Sequence, residues 1–198
     1  MSSDFSKKPA VFLDRDGTII RQVELLHKPE QVKLLPGAAK AIRLLNRAEY
    51  FVVVATNQPV VARGLSSPEG VCAIHDLICA RLKRQHARID AFYFCPHHPN
   101  ATIKAYRTTC ECRKPRPGMM IKAAVDYNLD ISRSVMIGDT TQDVLAGIQA
   151  GLSTILVQTG HAGRDPWQYE CKPDFTVPDL LGAVHLWLRN GKPGFARL

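Results

Sequence analysis

Long apolar runs are missing from this chain of 198 residues. The longest, Phe51 to Ala55, is strand-sized and far short of the ~20 residues that cross a bilayer, so no membrane role is expected. Aromatic residues are sparse, at 7%, and none interleaves with basic residues as a stacking platform for bases would, which argues against a nucleic-acid partner. No repeat, low-complexity tract or linker divides the sequence, so a single domain spanning residues 1–198 is expected, with its core at about 10–190. Met1 to Pro9 is polar, lacks the apolar segment of a signal peptide, and reads as a short disordered lead-in to the first strand; a cytoplasmic location follows. Nothing in the pattern calls for self-association, and a monomer is expected.

Acidic residues are also outnumbered, 18 against 26 basic ones, for a formal charge of +8. Such an excess suits nucleic acid, an anionic surface or an anionic substrate. The densest basic group, Arg81, Lys83, Arg84, His86 and Arg88, lies late in one helix and reads as its solvated face.

What is present is an alternation of strand and helix. Strands are expected at Ala10 to Leu13, Phe51 to Ala55, Ala91 to Phe94, Val135 to Ile137, Ser153 to Val157 and Phe175 to Val177. Helices are expected from Pro36-Gly37 to about Glu49, from Ser67-Pro68 onward, from Pro117-Gly118 to about Asn128, over Thr141 to Ala150, and over Leu180 to Leu188. Gln58 to Ser66 and Pro96 to Pro115 read as irregular. The alternation predicts an α/β fold, a doubly wound, Rossmann-like parallel sheet covered by helices on both faces. The motifs leave no room for a large cap domain.

Two acidic clusters each follow a strand: Asp14-Arg15-Asp16-Gly17-Thr18 and Gly138-Asp139-Thr140-Thr141-Gln142-Asp143. Strand ends that carry carboxylates into a turn are where a parallel sheet places its chemistry. Carboxylates gathered at one edge repel unless protons or a divalent cation compensate, and a hard ion such as Mg²⁺ suits them. Asp14 is the candidate nucleophile, and Asp16, two residues on, the candidate acid/base. Asp14, Asp16 and Asp139 are the expected Mg²⁺ ligands. Thr18 is expected to fix the first turn and Asp143 to support the site. Thr56, Asn57 and Gln58 at the second strand's end offer a hydroxyl and amides to a phosphate, and Lys114 a point positive charge. Arg63 and Arg113 are further candidate substrate cations. A short Asp-x-Asp is often only a turn, so the joint order of these segments carries the signal.

A second cluster has softer donors. Cys95-Pro96-His97 and Cys110-Glu111-Cys112 form two clips, each with one intervening residue, suited to a closed tetrahedral, structural Zn²⁺ site. His98 competes with His97, and the matched spacing favours His97. Reduced cysteines without a ligand role, or a Cys110–Cys112 disulfide, are the alternatives. Cys72, Cys79 and Cys171 read as small buried hydrophobes. A zinc clip running into Arg113-Lys114-Pro115 would fix the backbone that delivers Lys114.

The four segments around Asp14, Thr56, Lys114 and Asp139, in this order over Val11 to Val157, resemble the haloacid dehalogenase superfamily. Asp16 in the first segment resembles its phosphotransferases more than its dehalogenases or ion pumps. Within the superfamily the zinc loop is similar to that of two families, the heptose 1,7-bisphosphate 7-phosphatases and the histidinol phosphatases. Ala62-Arg63-Gly64, Cys95-Pro96-His97-His98-Pro99 and Cys112-Arg113-Lys114-Pro115-Arg116-Pro117-Gly118-Met119 match the former better. The resemblance implies Mg²⁺-dependent removal of the 7-phosphate of D-glycero-D-manno-heptose 1,7-bisphosphate through an aspartyl-phosphate. The other expectations are histidinol-phosphate hydrolysis and non-catalytic phosphosugar binding on the same fold. Two departures are expected to matter: Pro59-Val60-Val61 replaces a small turn, and Thr140 stands where the family often has Lys. The segment Gly160 to Cys171, with Trp167 and Tyr169, is expected to pack rather than to stack on substrate.

Overall fold

In the computed structural model, which describes residues 7–190, six strands form one parallel sheet. They are β1 (Lys8–Leu13), β2 (Phe51–Asn57), β3 (Ala91–Cys95), β4 (Leu129–Gly138), β5 (Ser153–Val157) and β6 (Phe175–Val177). Helices α1 (Ala38–Arg47), α2 (Pro59–Ala62), α3 (Pro68–Lys83), α4 (Gly118–Asp126), α5 (Thr141–Ala150) and α6 (Leu180–Asn190) connect and cover them. No helix among the described residues is long and apolar enough to cross a membrane.

The strand order is β3-β2-β1-β4-β5-β6. The chain thus winds outward from β1 in one direction and, after β3, outward from β4 in the other. The reversal lies between β1 and β4, and ligands of open α/β sheets bind beyond the strand ends at such a point. Register fixes what meets there. Leu13 pairs with Ile137, so the next residues, Asp14 and the Gly138-Asp139 turn, leave the sheet side by side.

Alternation along β1 makes the two layers. Val11 and Leu13 join one apolar cluster with Ile42 and Leu45 of α1, Ile74 and Ile78 of α3, and Val184 of α6. Ala10 and Phe12 face the other cluster, with Met119, Met120 and Ala123 of α4 and Ala146 of α5. Successive residues of a strand point to opposite faces, so both faces of this central strand are dry. Phe12 is fully buried.

Helix ends follow local chemistry. The Ser67 side chain accepts from the Gly70 N–H with Pro68 in the first turn, and Gly151 closes α5 at φ 79°. Four expectations are corrected. β1 starts at Lys8, so Lys8 and Pro9 are paired with Leu129 and Asp130 rather than a disordered lead-in; the remainder of that expectation, on Met1 to Ser6, lies outside the described residues. β4 starts at Leu129, and its half-exposed first part hid it in the sequence. The proline of Pro59-Val60-Val61 opens the short helix α2 inside a stretch read as irregular, because Pro is pre-shaped for a first helical turn. Cys72 is exposed, and Cys79 and Cys171 are only partly buried.

Candidate active site

Asp14 extends β1 by one residue, its N–H donating to the Ile137 carbonyl at 3.0 Å. Lys114 arrives from the loop before α4 and is buried, at 3% exposure. Its Nζ donates to Asp14 Oδ1 at 2.7 Å, Asp143 Oδ1 at 2.5 Å and the Ala55 carbonyl at 2.7 Å. An ammonium has three protons, so all are engaged, and Lys114 first of all holds carboxylates in place. Asn57 grips its peptide from both sides. The Lys114 N–H donates to Asn57 Oδ1, and Asn57 Nδ2 donates to the Lys114 carbonyl, each at 3.1 Å. The amide expected to meet a phosphate thus seats the lysine.

Asp139 is fully buried. Its Oδ2 accepts from the His161 N–H at 2.7 Å, while Oδ1 has no hydrogen-bond partner among the described residues. One ligand oxygen each from Asp14, Asp139 and Asp143 lies within 4.8 Å of the others. Burial, together with repulsion from Asp143 and Asp16 and against the pull of Lys114, raises Asp14 to about 7. Burial, then repulsion from Asp14 and Asp143, raises Asp139 to about 9. Three carboxylates share one ammonium, and an orphaned buried oxygen points at a missing positive partner. That donor set fits a hard divalent cation. Asp143, expected only as support, belongs to this trio, and the carboxylate of Asp16 lies outside it.

The turn after Asp14 closes over Asp139. A Cβ on Gly17 would stand 2.3 Å from Asp139 Oδ2, and one on Gly160 2.1 Å from the same oxygen. Both glycines have positive φ, 79° and 59°, a region that side chains avoid. Thr159 Oγ1 donates to the Gly17 carbonyl at 2.6 Å, joining the two turns. Thr18, expected to fix its turn, does not do so through its hydroxyl, which is buried without a hydrogen-bond partner among the described residues. The turn is held by backbone bonds from Gly17 to Ile20 and from Ile19 and Ile20 to Arg15.

Thr140 turns its departure into a cap. Its hydroxyl donates to Asp143 Oδ2 at 2.6 Å and its N–H to the same oxygen at 3.1 Å. Oδ1 of Asp143 is thereby turned to Lys114.

Asp16 is held by other groups. Arg15 Nε donates to its Oδ2 at 3.0 Å and Arg15 Nη2 to its Oδ1 at 3.1 Å. Gln58 Nε2 adds a bond to Oδ2 at 3.0 Å and another to Thr56 Oγ1 at 2.9 Å.

Around this floor is a cleft of about 410 Å³ whose rim includes Arg63, His98, Arg113 and Trp167. Arg113 Nη1 donates to the His97 carbonyl at 2.9 Å, tying the metal-type loop to the rim. Trp167 is 58% exposed and lines the cleft, contrary to the packing expected of it. Its segment is moored to α5: Asp165 accepts from the N–H and hydroxyl of Thr141, which in turn accepts from the Tyr169 N–H.

The four softer donors also converge. Cys95 Sγ lies 3.5 Å from Cys110 Sγ and 3.7 Å from His97 Nδ1; Cys112 Sγ lies 3.1 Å from Cys110 Sγ and 3.4 Å from His97 Nδ1. Zn–S bonds of about 2.3 Å at tetrahedral angles would set sulfurs about 3.8 Å apart, so the cluster is near that size. All three thiols are free. His98 is outside the cluster, its Nδ1 accepting from the Asn100 N–H.

Sequence reasoning missed Arg15, Gly160, His161 and Asp165. Only Arg15 carried a signal, as a cation between two carboxylates. The others lie tens of residues from the segments they serve.

Several known proteins resemble this chain. A family profile described as "HAD-hyrolase-like" matches residues 111–183. The D-glycero-beta-D-manno-heptose-1,7-bisphosphate 7-phosphatase of Rhodopseudomonas palustris is 45% identical over 152 residues, 77% of this chain and 84% of that one. The D-glycero-D-manno-heptose-1,7-bisphosphate 7-phosphatase of Thermosynechococcus vestitus is 41% identical over 188 residues, 91% of this chain and 95% of that one. The crystal structure of D,D-heptose 1,7-bisphosphate phosphatase from B. bronchiseptica, complexed with magnesium and phosphate, superposes with a TM-score of 0.79 at 34% identity. That alignment covers 91% of this chain and 98% of the other.

Proposed function

The chain belongs to the haloacid dehalogenase-like phosphatases, among the heptose 1,7-bisphosphate 7-phosphatases, and on that premise we propose that it hydrolyses the 7-phosphate of D-glycero-D-manno-heptose 1,7-bisphosphate. The observation that carries the reading is the floor of the cleft: Asp14 on Lys114, beside Oδ1 of Asp139, which has no hydrogen-bond partner among the described residues. Asp14, Asp139 and Asp143 would hold Mg²⁺, which when bound offsets the repulsion between Asp14 and an incoming phosphate.

The oxygen of Asp14 not held by Lys114 attacks phosphorus. The new O–P bond forms as the bond from phosphorus to the sugar oxygen breaks. Asp16 acts as the general acid, passing a proton to the departing alkoxide. Water then attacks the aspartyl-phosphate, Asp16 takes its proton back, and inorganic phosphate leaves with Asp14 restored. Lys114 keeps Asp14 oriented throughout. Arg63 and Arg113 on the rim suit a second phosphate, and this basic lip disfavours a cationic substrate such as histidinol phosphate.

Cys95, His97, Cys110 and Cys112 would hold Zn²⁺ with every donor from the protein, a structural role. The loop they tie carries Arg113 and Lys114 to the cleft. Residues 1–198 are taken as one functional unit acting in the cytoplasm.

The test is Mg²⁺-dependent phosphate release from heptose 1,7-bisphosphate and from histidinol phosphate, with Asp14→Asn alongside. Preference for the bisphosphate, lost in the variant, is expected. Preference for histidinol phosphate would refute the substrate, and turnover by Asp14→Asn would refute the nucleophile.

A further inference from the structure

His75 takes no part in the chemistry above, yet it is 5% exposed, in the middle of α3. Its ring stacks on Phe92, with centroids 4.4 Å apart and planes at 18°, and meets Phe94 edge-on at 5.8 Å. Its Nε2 lies 3.4 Å from Arg15 Nη1. A guanidinium has only donors, so Nε2 is the acceptor and the ring proton sits on Nδ1. Burial, and then the charge of Arg15, lowers the imidazole to about 3, which keeps it neutral and accepting.

Arg15 is itself 1% exposed, a guanidinium sealed in the protein. Three of its five N–H groups are committed: Nε and one Nη2 proton to Asp16, and the other Nη2 proton to Gln58 Oε1 at 2.8 Å. The Nη1 edge faces His75. Bonds at Nε and Nη2 alone leave the Nη1 end of the planar fork free to tilt, and the carboxylate it carries tilts with it. An acceptor at the opposite edge fixes the plane. The acceptor must also stay uncharged, because a protonated imidazole would have no lone pair and would put two cations in contact.

We propose that His75 is a positioning residue for Asp16, fixing Arg15 through its Nε2 so that Arg15 and Gln58 hold the Asp16 carboxylate in line with the leaving oxygen. This rests on Asp16 being the acid/base of the reaction proposed above. The line runs from the aromatic layer at the edge of the sheet to the catalytic carboxylate: Phe92 orients His75, His75 orients Arg15, and Arg15 orients Asp16.

The leaving group makes this testable. A sugar alkoxide needs the Asp16 proton to depart, whereas p-nitrophenolate leaves without one. kcat/KM reports the steps through leaving-group departure, so a defect confined to the acid falls on the alkyl phosphate alone. His75→Phe keeps an aromatic ring on Phe92 and removes the acceptor. It should lower kcat/KM on heptose 1,7-bisphosphate, or on whichever alkyl phosphate the wild type turns over, about tenfold, a fraction of what general acid catalysis supplies. The same variant should leave p-nitrophenyl phosphate within about twofold, and His75→Gln, whose amide oxygen can accept, should recover most of the loss. Should His75→Phe fail to fold, Phe92→Leu, which frees the ring, takes its place with the same selectivity expected. Asp16→Asn separates the two layers of inference. If Asp16→Asn is not selective for the alkyl substrate, the acid/base assignment falls and His75 with it. If Asp16→Asn is selective but His75→Phe harms both substrates equally, or neither, only the role of His75 is overturned.

Discussion

Acid should destabilise the wild-type protein more than a His75→Phe variant. In an unfolded chain imidazole titrates near 6.5, whereas in the fold burial and the charge of Arg15 lower His75 to about 3. The folded value is the depressed one. As pH falls below about 6.5 the unfolded state therefore takes up a proton that the folded state refuses. The stability at stake is whole above about 6.5 and is lost progressively from there toward 3. Between pH 7.5 and pH 5 the unfolded imidazole goes from mostly neutral to mostly charged, a differential of about 1.5 pH units, or about 2 kcal/mol. For a chain of this length that is about 4–8 °C in Tm. The assay is thermal unfolding of both proteins at the two pH values, with divalent ion held constant. Carboxylates titrate in both and drop out of the difference, and Phe has nothing to titrate. The wild-type advantage in Tm should shrink by that amount at pH 5. An unchanged gap would mean that this imidazole protonates in the fold as it does in water, and the burial and the Arg15 contact would both be wrong.

Lys114→Met leaves buried Asp14 and Asp143 without their cation, a loss of about 3–5 kcal/mol in urea unfolding without divalent ion. Asp14, raised to about 7 by burial, rises further in that variant and takes up a proton, so the deficit should be smaller at pH 6 than at pH 8. Gly160→Ala pushes a methyl to within 2.1 Å of Asp139 Oδ2, and calorimetric titration should find Mg²⁺ binding about tenfold weaker. Asn57→Ala releases the Lys114 peptide and should lower kcat about tenfold with little change in KM, since a mispositioned group loses rate before affinity. Metal analysis should return one zinc per chain, lost in Cys110→Ser together with several kcal/mol of stability.

The catalytic floor illustrates how departures from a pattern can be absorbed by neighbouring chemistry. Thr140 supplies no cation, but its hydroxyl and N–H take one oxygen of Asp143 and leave the other for Lys114. Pro59 forbids an ordinary loop hydrogen bond at its nitrogen and instead begins α2, whose Val60 and Val61 are buried. Neither change reaches Asp14 or Asp139.

The sequence by itself determined the winding, because hydrophobic period and β-branched runs are local properties that each segment carries alone. It also determined which segments bear chemistry, since carboxylates, Lys114 and paired thiol clips are legible wherever the strands end. What it could not determine was how side chains divide their bonds once those ends meet. Whether Asp16 or Asp143 shares an ion with Asp14 depends on donors from Arg15 and Gln58, and on a lysine 100 residues away in the chain. That Asn57 seats Lys114, that a glycine turn closes on Asp139, and that His75 backs Arg15 are outcomes of packing at the β1–β4 reversal. No spacing rule reaches across such separations. Only the folded sheet brings those atoms within bonding distance, and there burial makes each unmet donor or charge costly enough to select one arrangement.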